Sequence, residues 1–343
     1  MKWVLVLIAI LFASPVLADE SVRCVQQILT DAGYDLGTVD GSFGGKTKKA
    51  GENFLADGKT DLSLPPLSKE TARQWCDALS PPVVTVAVLN RGAGVNDSRA
   101  QVLEEGLRNA EKFVLEVVGL TPREPLQVYM SNDAVWLTDN YLKANDLPNG
   151  FRKGKLESFG ACNPSAEFGW YSIFLCTDAP EWDRGNAFSE GIVAHEYWHT
   201  VQADLVGLKA KTCCRDNDAM SVYGPEWLKE GSAQFIHNAM VDWLGWGDLQ
   251  QKITSLVHEF RSSGLNLLDR NTRKGYREEG RDYSEDMGVV ATYLLVKNNG
   301  YGSLVTFYRQ LGYGASVDDA FFLAFKVTMK DFEKQFVEFA QNV

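Results

Sequence analysis

Two histidines four residues apart enclose a glutamate in the run His195-Glu196-Tyr197-Trp198-His199. The surrounding AFSEGIVAHEYWHTVQADLVG has apolar residues at helical spacing and stops at Gly207, so the run reads as the interior of a helix. A four-residue offset stacks the imidazoles one turn apart on one face, where two neutral ring nitrogens reach a single ion at about 2.0 to 2.1 Å. Glu196 lies about 100° round the helix from His195. From there its carboxylate can take a proton from a water beside the ion instead of binding the ion itself. The chemistry this spacing predicts is metal-assisted hydrolysis. The chain has 4 histidines, and two of them share this one face. His237 and His258 read as ordinary polar residues on later helices.

A third ligand must come from a second element. Glu230 follows His199 by about 31 residues, room for a loop and a returning helix. Pro225 suits the first position of that helix. The segment Trp227-Leu228-Lys229-Glu230-Gly231-Ser232-Ala233 sets Glu230 beside Gly231 and near Ala233, small enough to let this helix approach the first closely. Three ligands with an acid beside them leave an ion one open position, which is the catalytic arrangement, whereas a closed four-ligand site serves structure alone.

Together these segments resemble the gluzincin metallopeptidases. The resemblance covers about residues 185 to 300 and rests on HEYWH, on WLKEGSA and on an aromatic-led helix after them. It implies that His195, His199 and Glu230 hold Zn2+, that Glu196 is the general base, and that the substrate is a peptide or protein. Gln234 stands one turn beyond Glu230, where some members carry an Asp that orients a ligating His. Gln accepts the same hydrogen bond without adding charge. The segment Arg281-Asp282-Tyr283-Ser284-Glu285 leads into a helical run to Leu295 and is most like the Tyr-led helix of the zinc aminopeptidases. The resemblance thus implies that Tyr283 steadies the oxyanion, with Tyr223 and Tyr276 as rivals. Substrate is expected along a strand edge before the active-site helix, and Phe168 to Leu175 is in the right chain position. Cys162 and Cys176 flank that segment and can close a bridge across its approach.

The elements that must position these residues follow from patterning. Val83 to Leu89 is a continuous apolar, β-branched run that predicts a buried strand. Asp97 to Val118 has helical periodicity and stops near Gly119. Leu126 to Met130 and Glu167 to Cys176 are two more strand candidates. From Phe188 onward, apart from the loop between Gly207 and Pro225, nearly everything reads as helix. Strands first and helices later predict an α+β unit over residues 83–343, a sheet packed on a mainly helical C-terminal body, zincin-like by the resemblance.

Residues 19–80 differ in character, and Ser80-Pro81-Pro82 marks the boundary because it cannot continue a helix. At 343 residues and 45% apolar, the chain can bury two cores. In the first unit Val22, Val25, Ile28 and Leu29 recur at helical spacing, Gly33 ends that helix, and Asp40-Gly41 with Gly44-Gly45 makes turns. Three short helices are expected. The run VRCVQQILTDAGYDLGTVDGSFGGKTKKAGENF, with Thr71 and Leu79 after it, resembles the peptidoglycan-binding repeat, which implies peptidoglycan as a partner. Gly51 stands where that repeat usually has an apolar residue, and Leu55 where it has Gln. Cys24 in the first helix and Cys76 in the last can staple so small a core.

Lys2, the apolar run Trp3 to Phe12 and Ala18 before Asp19-Glu20 have the layout of a cleavable signal peptide over residues 1–18, so a secreted or periplasmic protein is expected. In that setting the 6 cysteines read as disulfides, with fifteen possible pairings; Cys213 and Cys214 pair with each other or elsewhere. The net charge is −11 and no basic stripe interleaves with aromatics, which argues against nucleic acid. No later segment reaches the roughly twenty apolar residues that span a bilayer, so no membrane insertion is expected. The competing class is a catalytically silent wall-binding or adhesive protein with a structural metal site.

Overall fold

The structure, a computed structural model, describes residues 19–59, 64–79, 87–162, 166–207, 222–261, 267, 268, 271 and 281–342. The side chains of residues 20 and 281–284 lie outside this description, as do the leader 1–18, residues 80–86, Cys213, Cys214 and Tyr276. Contacts divide the chain into two compact units, Met1–Pro81 and Pro82–Val343.

The first unit is built from α1 (Glu20–Asp31), α2 (Gly45–Ala56) and α3 (Ala72–Leu79). Asp19 caps α1 by accepting from the Ser21 and Val22 amides, and Gly33 takes the left-handed backbone (φ 95°) that ends it. Val22, Val25, Leu29, Ala50, Phe54 and Trp75 close a small core. Gln26, 2% exposed, ties the turn to it: its Oε1 accepts from the Gly41 amide at 2.8 Å, and its Nε2 donates to the Ser42 carbonyl at 3.1 Å. Gly51 has a packing reason, since a Cβ there would stand 2.6 Å from Leu67 Cδ2. A Cys24–Cys76 disulfide joins α1 to α3.

The second unit is α+β. Its sheet has the order β1 (Val88–Arg91), β2 (Gln127–Ser131), β4 (Ser172–Cys176), β3 (Ala166–Gly169); the first three are parallel and β3 runs antiparallel to β4. Helix α4 (Asp97–Phe113), continued by a π-helical turn Val114–Val118 and stopped by Gly119 (φ 83°), crosses from β1 to β2. Helices α5 (Ala134–Ala144) and α6 (Arg152–Gly160) follow β2. After the sheet come α7 (Asn186–Val206), α8 (Glu226–Trp243), α9 (Leu249–Phe260), α10 (Arg281–Asn299), α11 (Gly302–Gly312), α12 (Val317–Phe325) and α13 (Met329–Asn342).

Strand alternation splits the sheet's side chains between two cores. Val128, Met130, Ile173 and Leu175 face the main core with α4 and α7, whereas Phe174 and Cys176 join Leu137 and Phe159 under α5 and α6. With both faces covered, β4 is buried at every position. A Cys162–Cys176 disulfide ties the end of α6 to β4.

Two strand expectations need correction. Val88 and Leu89 are 44% and 39% exposed, because β1 is an edge strand of the described sheet; residues 83–86 of the expected run lie outside the described residues. Glu167 to Cys176 is a hairpin, turning at Trp170-Tyr171, in place of one strand. Gly169 permits the turn, since a Cβ there would lie 2.6 Å from Ser172 Oγ, and Asn145 Oδ1 accepts from the Trp170 amide at 3.0 Å. Tyr171 takes a positive φ of 45° and its hydroxyl donates to buried Asp204 at the end of α7. Among the described residues β3 is therefore the sheet edge on this side, and β4 is interior.

Candidate metal centre

Helix α7 is buried nearly all round, because the sheet, α4, α8 and α11 all pack on it. Polar groups on such a helix need partners, and the ones it has build a site. Trp198 Nε1 donates to Ser232 Oγ on α8 at 3.0 Å, and Gln202 Nε2 donates to the Lys229 carbonyl at 2.9 Å. These bonds hold α7 and α8 in a register that sets His199 opposite Glu230.

His195 Nε2 and His199 Nε2 are 3.0 Å apart. Glu230 Oε2 lies 3.2 Å from His199 Nε2 and 3.7 Å from His195 Nε2. Three donors at about 2.1 Å from one tetrahedral ion would stand roughly 3.4 Å from each other, so this triangle has the right size for a metal.

The atoms behind the triangle decide which lone pairs point inward. Gln202 Nε2 faces a carbonyl, which can only accept, so Gln202 Oε1 is the atom 2.7 Å from His199 Nδ1. That oxygen accepts the Nδ1 hydrogen and leaves His199 Nε2 with its lone pair. Gln234 Oε1 stands 3.0 Å from His195 Nδ1 and plays the same part there. Lys229, 9% exposed, donates from Nζ to Glu230 Oε1 at 2.6 Å, so only Oε2 is turned to the histidines. Two imidazole nitrogens and one carboxylate oxygen are a borderline-soft donor set that suits zinc.

The charges support one another. Burial alone would raise the Glu230 carboxyl pKa, but Lys229 and the two histidines hold it well below the ordinary carboxylate range. Burial alone would lower His195, but its hydrogen bond to Glu230 and the charges of Glu196, Glu230 and Glu285 raise it to about 9. Glu196 is pushed up, first by burial and then by the like charges of Glu230 and Glu167, against the pull of His195 and His199.

The structure thus brings together His195, His199, Glu230 and Glu196. Tyr283 lies by its backbone in the first turn of α10, and its side chain is outside the described residues. Tyr223 is 4% exposed, with Lys229 Nζ 5.9 Å from its ring. Gly231 does not serve the approach of α8 to α7: a Cβ there would stand 2.5 Å from Gly288 Cα, so the glycine pair seats α8 on α10. Four participants had no distinct signal in the sequence. These are Gln202, Lys229, His237, whose Nδ1 is 3.3 Å from Gln234 Nε2, and Phe168, which stacks on the His199 imidazole at 4.7 Å. Gln202 was the most findable, since it lies one helical turn from His199 on the ligand face.

Comparison of the chain with protein-family models, with curated proteins and with solved structures finds no match. Among the described residues, no helix is long and apolar enough to cross a membrane. The two disulfides accord with an oxidising compartment.

Proposed function

We propose that this chain is an exported zinc-dependent peptidase in the manner of the gluzincins, with His195, His199 and Glu230 as ligands and Glu196 as general base. One observation carries the reading. Three potential ligand atoms converge on one point while the far side of each group is held by Gln234, Gln202 or Lys229, the convergence that a bound metal ion would use.

Zinc held there would supply Lewis acidity toward a carbonyl oxygen and toward water. The chain supplies the rest. Glu196 takes the proton of the attacking water and passes it to the departing amine. The free edge of β3 holds an extended peptide by backbone hydrogen bonds, and Phe168, stacked on His199, brings that edge alongside the metal ligands. The start of α10 comes near the same point, since the Glu285 charge acts on His195, and Tyr283 in the first turn of that helix is the residue that the likeness to the zinc aminopeptidases assigns to the oxyanion. The three-helix unit, with its likeness to the peptidoglycan-binding repeat, is proposed to bring the enzyme to wall peptides.

The test is metal content of the purified full chain together with cleavage of a mixed peptide library, with and without a chelator. Stoichiometric zinc and chelator-sensitive cleavage are expected. Zinc without any cleavage would replace this reading with the silent wall-binding one, and absence of metal binding would overturn both.

A further inference from the structure

Helices α7 and α8 meet in three rungs about one turn apart. Glu230 faces His199, and Gln234 faces His195. His237 faces Gly191, where any Cβ would overlap the imidazole. The first rung pairs two ligands and the second orients one. The third, an ordinary polar residue by its sequence, completes the second: Gln234 Nε2 is 3.3 Å from His237 Nδ1.

A glutamine amide between two imidazoles has two self-consistent settings. In one, His195 Nδ1–H donates to Gln234 Oε1 while Gln234 Nε2–H donates to an unprotonated His237 Nδ1. His195 Nε2 then keeps its lone pair for a metal. In the other the amide is turned over, His237 donates to Oε1, and the amide N–H points at His195 Nδ1. The His195 hydrogen then sits on Nε2 and bars it as a ligand. The two amide ends are nearly the same size, so Gln234 by itself does not choose. An acceptor at its outer neighbour favours the first setting, and the structure turns Oε1 toward His195 and Nε2 toward His237.

His237 is placed where it can accept from the amide. It is 6% exposed, its ring stands edge-on to Phe188 at 6.0 Å, and the guanidinium of Arg184 lies 3.8 Å from the Phe188 ring centre. Burial first, and then nearby positive charge, pushes its pKa down to about 3, which favours the neutral ring, the form that carries a lone pair. Gly191, one turn before His195, is the notch that admits it.

We infer that His237 is a positioning residue that, through Gln234, holds His195 in the tautomer that turns Nε2 toward the metal. The inference rests on His195 being a metal ligand. It adds a third member to the chain of contacts and explains a glycine in the middle of the active-site helix.

The test is zinc affinity of the full chain, by competition with a chromogenic chelator, for His237→Asn, His237→Leu, Gln234→Leu and the double Leu variant, with thermal unfolding alongside. Asn places Oδ1 where the imidazole Nδ1 stood, whereas Leu fills space without an acceptor. His237→Leu should weaken zinc binding at least about tenfold, and His237→Asn should stay within about threefold of wild type. On the Gln234→Leu background His237→Leu should add less than about threefold. Should His237→Leu fold poorly, His237→Gln takes its place with the same tenfold loss, because its amide reaches the Nε2 position instead. Equal losses in the Asn and Leu variants, or losses that multiply in the double variant, would show that His237 only fills space and would overturn the inference. A wild type that binds no zinc would overturn the ligand reading itself, a result distinct from either.

Discussion

At the scale of residues, the proposed function gives the two glutamates separable roles. Glu230→Gln replaces an anionic ligand held by Lys229 and the histidines and should abolish stoichiometric zinc. Glu196→Gln leaves all three ligands in place and removes only the proton acceptor. Zinc content and unfolding temperature should stay near wild type while peptidase activity falls by at least about 10²-fold. Loss of zinc in Glu196→Gln would make Glu196 a ligand and refute the geometry. The metal-free site makes a second prediction. Because the folded pKa of His195 is raised from 6.5 to about 9, the proton on it stabilises the fold below about 6.5, and that contribution is lost as pH rises through about 9. Chelator-stripped protein should therefore unfold at lower temperature as pH rises across this window. Zinc must displace the same proton, so its apparent affinity should climb about tenfold per pH unit there. Titration calorimetry in buffers of different ionisation enthalpy counts that proton. A count of zero would contradict an occupied His195.

At the scale of elements, the site depends on how closely helices meet. Gly231 on α8 and Gly288 on α10 touch backbone to backbone, with no flexible side chain between them to give way. Gly231→Ala or Gly288→Ala should cost at least about 2 kcal/mol and lower the unfolding temperature by roughly 5 °C. Each should also weaken zinc binding, because α8 carries Glu230 and Gln234. Gly154→Ala on α6 is the control: a Cβ there meets nothing within 4 Å, and a helical glycine replaced by alanine is neutral or slightly stabilising. Equal effects at all three positions, read by thermal unfolding, would mean that helix propensity matters here and close approach does not. The β3–β4 hairpin works on the same principle. Tyr171 in its turn is anchored by its hydroxyl to Asp204, which also accepts from Arg123 Nε at 2.9 Å, so the edge strand is tied to the last turn of the ligand helix.

At the scale of the whole molecule, two units carry separate cores. The three-helix unit is small for independent stability, and its disulfide closes a loop with a sequence separation of 52. In the chain-entropy account such a link stabilises by about 4 kcal/mol. Residues 19–80 expressed alone should unfold cooperatively when oxidised and lose most structure when reduced, as followed by circular dichroism. Peptide mapping without reductant should recover Cys24 joined to Cys76. Cys24 joined to any cysteine beyond Ser80 would contradict the division into two units. Zinc affinity of the second unit should be unchanged by reducing the Cys24–Cys76 link, since every residue of the metal site lies in the second unit.

Local physics makes some features of this protein legible in the amino-acid sequence by itself. A helix places residues i and i+4 on one face, so the His195/His199 pair and the role proposed for Glu196 are read from spacing alone. The α+β order and the helix stops at Gly33 and Gly119 are likewise local signals of periodicity and turn chemistry. Other features depend on which helix meets which, and a single sequence does not record that. Gly231 reads as the seat of α8 on α7 and is in fact the seat on α10. His237 reads as an ordinary polar residue and in fact stands over Gly191, behind the glutamine that orients His195. Gln202 and Lys229 are polar residues of common type whose meaning lies in partners 27 residues away and in the next position. The candidate histidine pair is readable because its geometry repeats along one helix; the residues behind it are not, because their geometry exists only once two helices have packed and buried polar groups have had to find partners.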